Sequence, residues 1–211
     1  MKPLINQELK SYIEAEILPR YASFDKAHQL DHAQYVITES LLLAAHYNVN
    51  ADMVYTIAAY HDTGLTQGRS VHHLASGQII RTDGRLHTFF SDEEIEIMAQ
   101  AAEDHRASAD HAPRSIYGMI VAEADRCIDG PTIVLRTIQY GLSHYPELDK
   151  EAHYLRFKKH MDEKYAEGGY MKIWLPESAN RARLEEFQKL LKDEKKTRIL
   201  FEETWTNCHT H

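Results

Sequence analysis

The stretch Ile57-Ala58-Ala59-Tyr60-His61-Asp62-Thr63-Gly64 decides how this chain is read, because two ionisable residues interrupt an apolar pattern. Val54, Ile57, Ala58 and His61 recur at the three-and-four spacing of one helix face, so the helix drives an imidazole into apolar surroundings. Asp62 has Tyr55, Ala58, Ala59 and Leu65 at the same spacing, and an unpaired carboxylate there costs on the order of several kcal/mol to bury. Something cationic should compensate it. Gly64 is suited to end the helix, which leaves the pair in the last turn beside a loop where a ligand can enter. Taken alone, the pair also fits a hydrogen-bonded core histidine followed by an aspartate that bonds backbone at a helix end.

The flanks carry the same kind of signal. Upstream, a first helix is predicted from Asn6 to Leu18, stopped by Pro19, with Tyr21 to Lys26 as a connector. His28 and His32 lie four apart and lead into a helix with Val36, Ile37, Leu41, Leu43 and Ala44, so both imidazoles share a face if the helix starts early; a polar helix start is the other reading. Asn50 can cap the helix of His61-Asp62. Downstream, Thr66 to Ser70 forms a polar loop holding Arg69, and the adjacent His72 and His73 open a helix to Thr82, where surface polar residues are the preferred reading over ligands. Ser91-Asp92-Glu93-Glu94 has the form of a capping box. Ile95, Met98, Ala102 and His105 then fall on one face, followed by Arg106 and the loop Ala107 to Ala112. Pro113 begins a helix in which Gly118, Val121, Ala122 and Ile128 surround Asp125, a second buried carboxylate.

Beyond Tyr145-Pro146 the chain turns more polar. A helix is predicted from Leu148 to Tyr165, then an extended apolar connector Met171 to Pro176 that clasps the domain, then a last helix capped by Ser178. Leu184, Phe187 and Leu191 mark its packing face, expected either on the catalytic domain or as a homodimer surface, and Lys192 to Arg198 is charged all round. Nearly every element reads helical, so the expectation is an all-α chain of 211 residues: a single domain, 1–211, with a multi-helix core at about 20–130 and a C-terminal helical extension at about 146–206.

Composition narrows the function. Lys and Arg number 24 against 32 Asp and Glu, and the net charge of -8 argues against nucleic acid polymers and anionic membranes as partners. Cys127 and Cys208 stand alone, so neither a disulfide framework nor a thiolate zinc site is indicated, and a cytoplasmic location is expected from this and from a start that lacks a secretory core. Fourteen histidines is the one excess. His32, His61, Asp62 and Asp125 from three helices suit one divalent cation, and an all nitrogen-and-oxygen set accepts manganese, iron, cobalt, magnesium or zinc.

The ordered set His32, His61-Asp62, Asp125 resembles the HD superfamily of metal-dependent phosphohydrolases. Ala27-His28-Gln29-Leu30-Asp31-His32 is similar to the opening motif of a bacterial branch, His61-Asp62-Thr63-Gly64 to its central motif, and Asp104-His105-Arg106-Ala107-Ser108 with Ala122-Glu123-Ala124-Asp125-Arg126 to its closing pair. The resemblance covers roughly residues 20 to 130. It implies a compact helical bundle around one metal ion and hydrolysis of a phosphate ester or anhydride in a nucleotide or another small phosphorylated substrate. On it, His32, His61, Asp62 and Asp125 are the metal ligands, His28 and His105 move protons or bond phosphate, and Arg106, with Arg69 and Arg126, stabilises charge. Lys158 and Lys159 are weaker candidates, equally explained as a solvated helix face. Two other functions fit the residues: a di-iron oxygenase of similar fold, with His73 and His105 as extra ligands, and a non-catalytic metal- and nucleotide-binding module.

Overall fold

The structure, a computed structural model, describes residues 4–24 and 29–209. Among these the chain is helical, with α1 (Gln7–Tyr12), α2 (Leu30–Ala44), α3 (Ala51–Tyr60), α4 (His72–Thr82), α5 (Asp92–Glu103), α6 (Ile116–Asp125), α7 (Gly130–His144), α8 (Lys150–Lys164), α9 (Ala179–Lys192) and α10 (Glu194–His209). The all-α expectation holds. The chain divides into two compact units: Met1–Arg126 with Trp174–Ser178, and Cys127–Ile173 with Ala179–His211.

The first unit is built around α3, whose residues Met53 to Tyr60 are all buried. A helix this apolar on every side belongs at the centre of a core, and α3 is packed by α2, α5 and α6. Side chains do most of the work of starting these helices. Asn50 accepts the Asp52 N–H for α3, Ser91 and Glu94 complete the capping box of α5, and Ser115 accepts the Gly118 N–H for α6, so orphan N–H groups at each start find a partner.

The predicted stop at Pro19 is not what the chain does. After α1 the backbone continues through a wider turn over Ile13–Ile17 and a tighter one over Leu18–Ser23, with Pro19 at the start of the latter. There its missing N–H interrupts no existing ladder. The continuation buries Tyr21, which the sequence assigns to a connector. The extended connector behaves as predicted over its second half: Leu175 joins the core of the first unit, and Glu123 of α6 accepts the Trp174 N–H at 2.9 Å and the Ser178 hydroxyl at 2.6 Å.

The second unit has a core of its own, in which Phe157 of α8 meets Phe201 of α10 with ring centroids 5.4 Å apart. Phe187 of α9, expected on the catalytic domain or at a homodimer surface, packs inside this unit against Tyr165 at 5.6 Å. Lys192 to Arg198 is nearly continuous helix, broken only at Asp193, because Asp193 accepts the Lys196 N–H and restarts the chain as α10. The region read as an extension of one domain therefore forms, together with α7, a separate compact unit.

Candidate metal centre

Helix ends in the first unit bring the ionisable residues together. His32 lies in the first turn of α2, His61 and Asp62 follow the last residue of α3, His72 opens α4, His105 lies just beyond α5, and Asp125 is the last residue of α6. Three of these are helix C-termini, whose partial negative charge favours a cation. Between Asp62 and α4 the chain makes a tight turn over Thr63–Gln67, and Gly64 donates its N–H to Ser76 Oγ at 2.9 Å. A Cβ on Gly64 would lie 2.1 Å from the His72 carbonyl oxygen, so only glycine lets α4 dock this closely on the His-Asp pair.

Asp62 stands between two groups of donors. Its Oδ2 lies 3.2 Å from His61 Nε2 and 3.6 Å from His32 Nε2, and Asp125 Oδ1 completes that side at 3.2 Å from His32 Nε2 and 3.8 Å from His61 Nε2. Its Oδ1 faces the other way, 3.3 Å from His72 Nε2 and 3.5 Å from His105 Nε2. His32–His61–Asp62 and Asp62–His72–His105 are each close enough to hold a metal ion.

The orientation of the imidazoles tests whether a cation fits. The Nδ1 of His61 lies 2.8 Å from the Ala58 carbonyl, that of His72 2.8 Å from the Arg69 carbonyl, and that of His105 2.6 Å from the Ala102 carbonyl. A carbonyl only accepts, so each Nδ1 carries a proton, and in its neutral form each ring turns a lone pair at Nε2 toward the centre. Yet His72 Nε2 and His105 Nε2 are 3.1 Å apart, and His61 Nε2 and His32 Nε2 are 3.3 Å apart. Lone pairs that face one another at such distances require a proton or a metal ion among them, and the residues present fit a metal.

The charges agree. Burial opposes ionisation of Asp62 and Asp125, but the surrounding histidines hold both carboxyls well below the usual carboxylate range. Burial likewise opposes a charge on His61, yet Asp62 and Asp125 outweigh it and lift its pKa to about 9. Burial and the neighbouring His105 push His72 down to about 4, which leaves it neutral and ready to donate a lone pair at neutral pH. Tyr21 holds Asp62 from behind: its hydroxyl donates to the Ala59 carbonyl at 3.0 Å and lies 3.3 Å from the Asp62 N–H.

Of the residues singled out from sequence, His32, His61, Asp62, Asp125 and His105 come together. His28 lies outside the described residues. His105, expected to move protons or bond phosphate, is buried as a member of the second donor group. The partner of His105 is His72, where the di-iron alternative pairs it with His73. Both lie on the inner stripe of α4, four residues before Ser76 and Gly77, and it is the Gly64–Ser76 bond that turns His72 toward Asp62. Spacing therefore carried a signal for the pair but none for the choice. Arg106 donates to the Ser70 carbonyl at 3.1 Å, Arg69 is exposed, and Arg126 is buried with its guanidinium on the Ala122 carbonyl. Lys158 and Lys159 lie in the second unit, paired with Glu194 and Glu163.

An all-helical unit whose helix ends gather histidines around a shared aspartate is one that could hold a metal ion. Residues 30–128 match the family model described as HD domain, which supports membership of the HD superfamily for this segment. No curated protein and no solved structure matches the chain. Among the described residues, no helix is long and apolar enough to cross a membrane.

Proposed function

We propose that this chain is a metal-dependent phosphohydrolase acting on a phosphate ester or anhydride of a nucleotide or another small phosphorylated metabolite. His32, His61, Asp62 and Asp125 would hold one divalent ion, and Asp62, His72 and His105 a second. The observation that carries this reading is the placement of Asp62, with one oxygen toward each donor group. It departs from the single ion predicted from spacing, because His105 finds a partner in His72. A divalent ion in such a site supplies Lewis acidity, acidifying water and offsetting charge on a phosphoryl oxygen. The side chains do the positioning: three Nδ1 bonds to backbone keep the lone pairs aimed inward, Tyr21 fixes the backbone at Asp62, and Arg106 beside His105 offers N–H groups to an anionic oxygen.

The six donors and the shared carboxylate favour a second reading, a di-iron oxygenase. Metal analysis of the purified chain, followed by a panel of phosphorylated metabolites with manganese, iron, cobalt, magnesium or zinc, separates the two. Release of inorganic phosphate supports the hydrolase. A coloured, iron-loaded protein that consumes oxygen and releases no phosphate replaces it with the oxygenase, and tight nucleotide binding without product replaces it with a binding module.

A further inference from the structure

We propose that the groove between α2 and the segment formed by α1 and its continuation binds a neutral, mainly aliphatic small molecule carrying one oxygen acceptor, such as a medium-chain ketone or ester. The groove lies within the first unit and has a volume of about 910 Å³. Small-molecule sites typically span roughly 300–1,000 Å³. Helical spacing builds its walls. Lys10, Glu14 and Leu18 follow one another at four-residue steps on one side, Ile37 and Leu41 do so on α2, and Tyr55 of α3, only 4% exposed, forms the floor. Glu14 belongs to the wider turn over Ile13–Ile17, a helix irregularity of a kind frequent at functional sites. None of the donors of the metal centre lines the groove, so the inference stands apart from the hydrolase reading.

The chemistry of the occupant follows from what the lining leaves unmatched. Tyr55 is the one buried residue of the lining whose side chain carries a polar atom. Its hydroxyl makes no hydrogen bond among the described residues and is not closed off from solvent, so a molecule in the groove can reach it. A hydroxyl in an apolar place without a partner forfeits a hydrogen bond, and a ligand oxygen restores it. Burial, with the charge of Glu14 adding to it, lifts the Tyr55 pKa to about 12, which keeps the hydroxyl a donor. Other polar groups of the lining are already engaged: the Thr38 hydroxyl donates to the Gln34 carbonyl at 2.9 Å, and Lys10 pairs with Glu14 at 3.7 Å on the half-exposed rim. A charged head group would thus find no unmatched ammonium or carboxylate, whereas Leu18, Ile37 and Leu41 offer an aliphatic chain apolar contact, and the exposed Leu42 extends that surface at the edge.

The test titrates 2-nonanone into the metal-loaded full chain by calorimetry, with thermal unfolding and sedimentation velocity in parallel. The wild-type chain should bind one ketone per chain. Tyr55→Phe, which removes only the hydroxyl oxygen, should raise the Kd about fivefold, the loss expected for one neutral hydrogen bond. Thr38→Trp, at an exposed helix position, should fill the groove and abolish binding, and both variants should melt as the wild type does. Nonanoate, of equal chain length but charged, should bind the wild type more weakly than the ketone. No ketone binding by the wild type overturns the proposal, as does an unchanged Kd in Tyr55→Phe, undiminished binding in Thr38→Trp, or nonanoate binding as tightly as the ketone. A dimer that Thr38→Trp dissociates, with no ketone bound, makes the groove a contact between two copies of the chain and overturns it as well.

Discussion

Gly64→Ala is the sharpest perturbation of the centre that touches no donor. The added Cβ would lie 2.1 Å from the His72 carbonyl oxygen, 2.6 Å from the Ser76 nitrogen and 2.7 Å from Ala75 Cβ. Non-bonded carbon contacts settle at roughly 3.5 Å, so the turn over Thr63–Gln67 and the start of α4 must separate by on the order of 1 Å. All three atoms belong to backbone or to the first carbon of a side chain, and none can swing aside. The separation breaks the Gly64–Ser76 bond and widens the 3.3 Å gap between Asp62 Oδ1 and His72 Nε2. Overpacking of this kind costs about 1–3 kcal/mol, and each kcal/mol lowers the melting temperature by ~2–4 °C in a chain of this size. Loss of support for a ligand lowers metal affinity ~10–100-fold. Thermal unfolding and metal analysis check both, with Gly84→Ala as control because a Cβ there meets nothing within 4 Å. A Gly64→Ala protein with wild-type melting and metal content would refute the argument that this close approach sets the second donor group.

His72→Ala should lower bound metal by one ion per chain while His73→Ala leaves it unchanged, measured by elemental analysis; equal losses would make His73 a ligand as well. Glu123→Gln places an amide where the Trp174 N–H and Ser178 hydroxyl need an acceptor, so it should destabilise the chain by about 1–3 kcal/mol and speed protease cleavage between Gly169 and Ser178; unchanged cleavage would show that Glu123 does not hold the segment. In the metal-free protein His61 keeps a proton up to about pH 9, because Asp62 and Asp125 outweigh its burial, and an ion that takes Nε2 must release it. Metal affinity should therefore fall as pH drops below 9, up to about tenfold per pH unit from this proton, and calorimetry in buffers of different ionisation heat should detect proton release near neutral pH; an affinity flat between pH 6 and 9 would count against His61 as a ligand.

The helices were legible because their caps and apolar stripes are local: the Ser91–Glu94 box and the Asn50 cap are spelled out in adjacent residues. Other features depend on partners distant in sequence. Tyr21 is buried only because the chain runs helically past Pro19, and its bonds to Ala59 and Asp62 span about forty residues. The second unit escaped notice because Phe157 and Phe201 read as ordinary helix-face residues until they meet.

The same limit governs the number of ions. Spacing can place Asp62 on a buried face, but it cannot say that the carboxylate's two oxygens look in opposite directions, since that depends on the turn at Gly64 and the docking of α4. Once both groups are assembled, the charge balance itself becomes informative. On the proposed occupancy two dications would sit against only two carboxylates, Asp62 and Asp125, with every other donor a neutral imidazole. The centre would then hold excess positive charge in a largely buried place, and an electroneutral ligand would leave it uncompensated. A phosphate group with more than one negative charge offsets that excess and, on the His72–His105 side, also meets Arg106. The shortage of carboxylates thus favours an anionic substrate over a neutral one.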